Sequence, residues 1–469
     1  MLILSYLFVV APYLIAIGFA LMLVALLVLA TRSPWVVITL LGVAMVAEAA
    51  SIHPLSLHLG LWIYPGDAFA GITAGALLFR VLFMGKRNLV PTAWWVFGAV
   101  QFVLFAWGLA MHGTGAGVDY RPHFSAWAGA AYLATFTQDE RFIRRLLLAV
   151  QFIAYGMMAV AIFRWVGSAF DPVFARKVDY FVTTGVPFRV LWSPPAFVIG
   201  MAMLVSIFYA ATDRLKGGHW LLGMLFAAFV LVLQHRTVWV ASLGGVGMLA
   251  FVLSKARAGV GMKMVAAGVG LVVLVGVMAT SLQGVSGSIQ SQAKSAVSSG
   301  GTFQGGRVTS WVALLKDWAG SGSPSTYLVG KPFGSGYDRY TSEFAKEAVH
   351  NQPHNYYVHL LFRGGLIGLI AFLWIMWHAA AALRRQLAAG DTYAPLLLAI
   401  LTALLLYYIP YAVSYEHAIF LGLLLGAIMK DRATRSIEAV VPRQTTSAQA
   451  FPKNPVVQAN SLGGNQRGV

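Results

Sequence analysis

Apolar runs long enough to cross a membrane recur from one end of this sequence to the other. The chain has 469 residues, of which 59% are hydrophobic and only 10% are charged. A run of about 17 to 25 apolar residues matches the thickness of a bilayer. Such a run must be helical, because a backbone in lipid has to satisfy its own N–H and C=O groups. The sequence therefore predicts an all-α fold, a polytopic helical bundle in a membrane.

Run length and periodicity together predict about 12 to 14 membrane spans. The predicted spans are 7–30, 35–50, 67–84, 91–111, 123–138, 146–166, 194–212, 219–235, 237–253, 264–281, 355–380, 393–412 and 416–430. The first span is too long for a signal-peptide core and lacks a basic segment before it, so we expect a retained helix.

Basic residues concentrate in alternate connections between the predicted spans. They are Arg32; Lys86 and Arg87; Arg141, Arg144 and Arg145; Arg214 and Lys216; Lys255, Arg257 and Lys263; Arg384 and Arg385; and Lys430, Arg432 and Arg435. By the positive-inside rule these connections are cytoplasmic and the others face outward. The net charge of +17 is thereby explained by orientation, and we do not expect nucleic acid as a partner.

One connection, 282–354, is much longer than the rest. The sequence thus divides into spans over 1–281, a large outward loop over 282–354, further spans over 355–434, and a polar tail over 435–469 that we expect to be disordered and cytoplasmic. Within the loop, one helical face carries Val308, Trp311, Leu315 and Trp318. This spacing predicts a short amphipathic helix on the surface of the bundle or of the membrane.

A polar stripe begins where the loop returns to the membrane. Asn355, His359 and Arg363 follow one another at four-residue intervals and share a helical face. Burying Arg363 is costly unless it faces water or an anion, and the alternative is that it snorkels to the headgroups. His354 precedes the stripe, where a neutral imidazole can accept a proton near neutral pH; the alternative is a structural histidine.

Three arginines occupy outward positions. Arg236 lies in a tight corner between two spans, Arg189 precedes a span, and Arg307 follows two glycines at the start of the amphipathic helix. A helix start disfavours a cation unless an anion binds beside it. The arginines therefore predict an anionic ligand such as a diphosphate. The alternative is that they pair with lipid headgroups or with Asp171, Asp179, Asp317 and Asp338.

Several other chemistries lack their sequence signals. His350 and His354 have a metal-ligand spacing, but Pro353 interrupts the turn between them and no carboxylate cluster accompanies them. The sequence has no P-loop and no G-x-S-x-G elbow, and the absence of cysteine excludes thiol nucleophiles. We therefore expect neither a metal nor another cofactor.

A longer pattern spans the start of this polar stripe. His354-Asn355 is followed by nine residues and then by Gly365-Leu-Ile-Gly368. Together with the many spans, the single large outward loop and the outward arginines, this motif resembles the superfamily of O-antigen ligases and O-antigen polymerases, which are bacterial envelope glycosyltransferases. The specific match lies within residues 189–370.

The resemblance implies transfer of a glycan from undecaprenyl diphosphate to a sugar hydroxyl at the periplasmic face of the bacterial inner membrane. In that scheme His354 is the general base, and Arg236 and Arg307 hold the diphosphate, with Arg189 as a looser match. Asn355, His359 and Arg363 are supporting residues that we add from the helical stripe.

The acceptor remains open at this point. The segments 330–336 and 353–357 favour a polymerase of exopolysaccharide or O-antigen repeat units, for which a chain-length regulator is a further conceivable partner. The alternative is a ligase that uses lipid A core as its acceptor. A more remote alternative is a lipid-glycan flippase or transporter, which predicts charges inside the membrane and an internal repeat; the acidic residues in the spans reduce to Glu48 and Glu416.

Overall fold

The computed structural model describes residues 21–51, 56–58, 62–171, 174, 190–212, 218–256, 307–339 and 352–440. The predicted features that lie outside these ranges include Arg189, Asp179, the start of the first span, the span 264–281, the first part of the large loop and most of the tail.

The described chain is predominantly α-helical. Its first helices are α1 Leu21–Arg32, α2 Pro34–Ala50, α3 Pro65–Leu82, α4 Thr92–His112, α5 Thr114–Ala134, α6 Glu140–Phe170, α7 Ser193–Thr212, α8 Gly218–Val232 and α9 Arg236–Ala256. They are followed by α10 Thr309–Ala319, α11 Pro324–Val329, α12 Tyr356–Ala388, α13 Ala394–Tyr407 and α14 Ala418–Val440. Two 3-10 turns cover Lys86–Leu89 and Tyr415–His417, and the strands β1 Leu57–His58 and β2 Trp62–Ile63 pair antiparallel, with Leu57 opposite Ile63. The predicted all-α fold is confirmed.

Many of these helices have the composition of membrane spans. Among the described residues, α4, α6, α7, α9 and α12 are long and apolar enough to cross a membrane, and α1, α2, α8 and α13 are shorter apolar helices. Large apolar side chains point away from the protein, including Phe102, Phe152 and Trp377, which are 58%, 71% and 67% exposed. Such a surface is stable in lipid and not in water. The chain is a multi-pass membrane protein.

The sequence sets the ends of the helices through a few local signals. Pro34 and Pro65 open α2 and α3, where a missing N–H costs nothing. Asp139 caps α6 by accepting a hydrogen bond from Phe142 N at 2.7 Å. Gly113, at φ +59°, joins α4 directly to α5.

The connection between α4 and α5 is therefore shorter than the sequence predicts. The predicted outward connection 112–122 reduces to a turn at Gly113, and α5 already begins at Thr114. Polar residues of this segment, such as Asp119, indicate a loop when read alone. They are helical because their side chains bond to the large loop, as shown below for Asp119.

Four helix ends meet at one end of the bundle. His235, just before α9, lies with its Nε2 2.9 Å from Leu191 O, just before α7. The ring of Phe197 in α7 lies 4.4 Å from that of Tyr407 at the end of α13. Tyr356 N, at the start of α12, donates to Tyr408 O at 2.9 Å. We call this region, which contains the starts of α7, α9 and α12 and the end of α13, the motif end.

The other end of α12 lies among ion pairs. Arg385 forms two hydrogen bonds to Asp431, at 2.9 and 2.8 Å, and Lys430 bonds to Asp391. α14 continues to Val440, so the first residues of the predicted tail are helical. The remainder of the tail lies outside the described residues.

Candidate active site

Asn355 fixes the position of His354 by capping the helix that follows. The Asn355 Oδ1 accepts a hydrogen bond from Val358 N at 3.0 Å, and the side chain is buried. Asparagine is among the best N-cap residues because its side chain satisfies a backbone N–H that the helix leaves unpaired. His354 therefore lies one residue before the cap and two before α12, on an anchored backbone, with its side chain exposed.

Gly365 breaks α12 ten residues beyond the cap residue Asn355. Its backbone has φ 58° and ψ −161°, a conformation available essentially only to glycine. A Cβ at this position would lie 2.3 Å from Leu328 O, at the end of α11. The two halves of the motif thus bound a helical segment of about 13 Å, with a cap at one end and a break at the other.

Tyr411 brings His354 and Arg307 together. The His354 and Tyr411 ring centroids are 5.8 Å apart, and Arg307 Cζ lies 5.2 Å from the centroid of the same ring. Arg307 lies just before α10 in the large loop, so the loop and the start of α12 converge on one aromatic ring. The sequence predicts His354 and Arg307 as neighbours but gives no sign of Tyr411, which follows α13.

The surroundings of His354 favour its neutral form. Although its side chain reaches solvent, desolvation by its surroundings lowers the pKa of the imidazole, and the positive charges of Arg307 and Arg339 lower it further. Arg339 is buried, bonds to Ser310 Oγ and donates to Tyr337 O at 2.7 Å. A neutral imidazole next to fixed guanidinium groups can accept a proton from a hydroxyl while the cations hold an anion.

Arg236 lies at the motif end as the first residue of α9, and its side chain is half-buried. The preceding His235 contacts Leu191 O, which places the start of α9 beside the start of α7. Arg189 precedes this point but lies outside the described residues. Of the three arginines, Arg307 is thus the one that the described contacts bring against the same ring as His354.

Arg363 is a structural residue in this arrangement. Its side chain is fully buried, and each of its five N–H donors has a protein acceptor. The acceptors are Tyr337 Oη at 2.9 Å, Pro332 O at 2.7 Å, Ser335 Oγ, Gly336 O at 2.9 Å and Asp119 Oδ2 at 2.8 Å. Arg363 therefore neither snorkels nor faces water: the anion it requires belongs to the chain itself.

Asp119 is the residue that sequence reasoning missed. Besides Arg363, its carboxylate accepts hydrogen bonds from Tyr337 Oη at 2.7 Å, Gln352 Nε2 at 2.8 Å and Gly334 N at 3.2 Å. It thereby ties α5 to both described parts of the large loop. In the sequence, Asp119 is a single acid in the short predicted connection 112–122, and no local pattern links it to Arg363.

His359 is buried inside the same network and does not line the exposed site around His354. Its Nδ1 lies 3.0 Å from Tyr337 Oη, and its ring stacks on His123 with the centroids 4.1 Å apart. The stripe of Asn355, His359 and Arg363 is therefore one face of α12, as predicted, but that face holds the loop in place.

The amphipathic helix of the loop is present as α10. Trp311, Leu315 and Trp318 pack against a small core that includes Val358 and Phe362 of α12. The apolar face thus covers α12. Of the acids considered as partners for the outward arginines, Asp317 instead bonds to Lys331, at 2.6 Å.

The comparison with known families bears directly on this region. A family model described as O-antigen ligase matches residues 221–373. This match supports the resemblance to the superfamily of O-antigen ligases and polymerases. The matched residues include His354, Arg236, Arg307 and the glycine break at Gly365. No curated protein matches the chain.

The family match gives the site its general context. It supports a function of the O-antigen ligase or polymerase type, in polysaccharide biosynthesis at a membrane, with lipid-linked glycans as substrates. The helices α8 and α9, the loop helices and the first half of α12 form the matched region.

Proposed function

We propose that the protein is a metal-independent, inverting glycosyltransferase that polymerises lipid-linked repeat units at the periplasmic face of the inner membrane. The observation that carries this proposal is the meeting of His354 and Arg307 on the ring of Tyr411. A base for a hydroxyl and a cation for a leaving anion are the two groups that transfer from a diphosphate requires.

The reaction is a single displacement at the anomeric carbon of the donor sugar. The acceptor hydroxyl attacks this carbon, His354 takes the hydroxyl proton, and a new C–O bond forms. The bond from the anomeric carbon to the diphosphate oxygen breaks, and its electron pair leaves with undecaprenyl diphosphate. Attack from the face opposite the leaving group inverts the anomeric configuration.

The charge that develops on the diphosphate needs cations held in place before the reaction. Arg307 meets this requirement because its guanidinium is placed against Tyr411. We assign Arg236 to the same role from its place at the start of α9, and Arg189 as a further contact. Asn355, His359 and Arg363 are positioning residues, which hold the helix start and the loop in register.

The acceptor distinguishes a polymerase from a ligase. We favour the polymerase because of the segments 330–336 and 353–357, and the second candidate is the O-antigen ligase that the matched family model describes. A polymerase needs the lipid-linked oligosaccharide alone, since the same molecule serves as donor and acceptor. A ligase makes product only when lipid A core is added.

The test is an assay of purified protein with lipid-linked oligosaccharide extracted from the source bacterium, with and without lipid A core, analysed on gels. We expect a ladder of products without the core, and no ladder for His354→Ala. Arg307→Ala and Arg236→Ala should lose more activity than the Lys variants if two-pronged contact with phosphate matters. Equal yields from all these variants and the wild type would refute the proposal.

A control variant separates loss of chemistry from loss of structure. His112 is exposed and ends α4, so His112→Ala removes an imidazole without touching the cluster at Tyr411. It should retain wild-type activity. If His112→Ala and His354→Ala lose activity equally, the base assignment to His354 fails.

A further inference from the structure

A cleft with two carboxylates lies at the motif end. Its enclosed volume is about 50 Å³, and the space within its walls is about 400 Å³ when the part open to solvent is counted, so a ligand would sit largely at its mouth. Glu48 and Glu416 line it, together with Trp192 and the prolines at the start of α7. Neither carboxylate belongs to the chemistry described above.

Glu416 has an oxygen without a partner. The residue is 6% exposed, and its Oε2 has no hydrogen-bond partner among the residues that the structure describes. Burying an unsatisfied carboxyl oxygen is costly, so such an atom in the wall of a cleft points to a ligand that supplies a hydrogen bond. Glu48 lies opposite and accepts a hydrogen bond from Tyr415 Oη at 2.7 Å.

The charge of the cleft selects the kind of ligand. Carboxylates repel a diphosphate but accept hydrogen bonds from hydroxyl groups. Glu416 lies in the 3-10 turn before α14, where burial raises its pKa to about 7; hydrogen bonds from Ser414 and from the backbone act against this shift, and the nearby Glu48 acts with it. A carboxyl that is protonated part of the time can also donate to a hydroxyl. Trp192 is 66% exposed and adds an aromatic surface at the rim.

The cleft is connected to the candidate active site through a row of aromatic rings. His417, next to Glu416, has its ring 5.1 Å from that of Tyr407, which stacks on Tyr411 at 5.2 Å. Tyr411 in turn contacts His354 and Arg307. On another side, Leu191 of the cleft contacts His235, which precedes Arg236.

We propose that this cleft is a sugar-binding subsite, in which Glu416 and Glu48 bind hydroxyl groups of the glycan and Trp192 packs against a sugar ring. The proposal rests on the proposed glycosyl transfer, because it assigns the neutral part of the same lipid-linked substrate to the carboxylates while the arginines take its diphosphate.

The experiment measures KM separately for two substrates in Glu416→Gln, Glu48→Gln and Trp192→Ala. The donor is lipid-linked oligosaccharide from the source bacterium, and the acceptor is a fluorescently labelled oligosaccharide released from the same material by mild acid. Glu416→Gln should raise one KM about tenfold, the effect of one hydrogen bond to a charged group. A higher acceptor KM assigns the cleft to the acceptor, and a higher donor KM assigns it to the donor sugar.

The control is Asp317→Asn, which removes another outward carboxylate, 49% exposed, from a loop helix that does not line the cleft. It should leave both KM values unchanged. If Glu416→Gln, Glu48→Gln and Trp192→Ala also leave both unchanged while the wild type makes polymer, the subsite is refuted and the transferase stands.

Direct binding of the labelled, lipid-free oligosaccharide keeps the two proposals apart. It requires no turnover, so it is measured on His354→Ala as well as on the wild type. Binding that survives His354→Ala and is lost in Glu416→Gln confirms the subsite even if no transfer is seen. Binding of equal strength in Glu416→Gln and the wild type refutes it.

Discussion

Arg363 Nη2 lies 2.8 Å from Asp119 Oδ2, and both residues are buried. This ion pair joins α12 to α5. The large loop accepts the other hydrogen bonds of the guanidinium through the backbone carbonyls of Pro332 and Gly336 and the hydroxyls of Ser335 and Tyr337. The pair is the centre of the network that holds the loop over the motif end. It therefore provides the clearest test of how the site is supported.

Asp119→Asn should destabilise the protein strongly. The substitution leaves a buried guanidinium without its counter-charge, and removal of one partner from a buried pair costs about 3 to 5 kcal/mol. Asp317→Asn breaks the exposed pair with Lys331 and should cost at most about 1 kcal/mol. Denaturant unfolding in detergent micelles measures both. Equal losses would mean that the buried pair carries no special weight.

Gly365→Ala should cost more than Gly390→Ala, although both glycines have positive φ. At Gly390 a Cβ would meet nothing within 4 Å, so the substitution tests backbone strain alone, about 1 to 3 kcal/mol. At Gly365 the Cβ would also lie 2.3 Å from Leu328 O. We expect Gly365→Ala to displace α11 and to abolish polymer formation, whereas Gly390→Ala keeps it. A fully active Gly365→Ala variant would contradict the role of the break.

The rate of transfer should fall with acidification at a pH below the ordinary histidine value. His354 can act as a base only when neutral, and its pKa lies below the ordinary histidine value of 6.5, so activity should be retained at pH 7 and lost as the pH falls through the lowered pKa. Arg307→Gln removes one positive charge that lowers this pKa. It should therefore move the acid limb of the rate profile to higher pH.

Arg307→Lys is the matched control for this shift, because it keeps the charge at the same place. Its acid limb should stay near that of the wild type even if its rate is lower. Profiles recorded between about pH 4.5 and 8 compare the limbs directly. If the acid limb lies at the same pH in the wild type, Arg307→Gln and Arg307→Lys, then Arg307 does not influence the titrating base.

Tyr411→Phe should retain activity and Tyr411→Ala should lose it. The contacts with His354 and Arg307 are made by the ring, and a cation over an aromatic ring is worth about 0.5 to 2 kcal/mol. Loss of the ring should thus lower the transfer rate several-fold to about 30-fold. If Tyr411→Phe is as damaged as Tyr411→Ala, the hydroxyl and not the ring is the active part.

Local signals in the sequence explain much of this fold and of the site. Helix positions follow from apolar run length, and α2 and α7 start within a residue of their predicted spans. The helical face of Asn355, His359 and Arg363 follows from their spacing, as does the apolar face of α10. These features depend on residues a few positions apart in one segment, so the spacing of residues in the sequence is enough to predict them.

The partners of that face could not be predicted in the same way. Asp119 and Arg363 meet only because α5 and α12 pack against one loop, and pairings between distant segments leave no periodic trace in one sequence. Tyr411 and Arg339 were missed for the same reason. The polar residues at the start of α5 indicated a loop in the sequence. One of them, Asp119, is polar because it binds Tyr337 of the large loop.

The break at Gly365 divides α12 into two parts with different attachments. The part before the break is bound to the loop twice, by Lys331 N donating to Phe362 O at 2.8 Å and by the guanidinium of Arg363. The part after the break is the membrane span. The start of α12 is therefore tied to the loop, and a displacement of residues 330–337 would move the backbone that carries His354 with them.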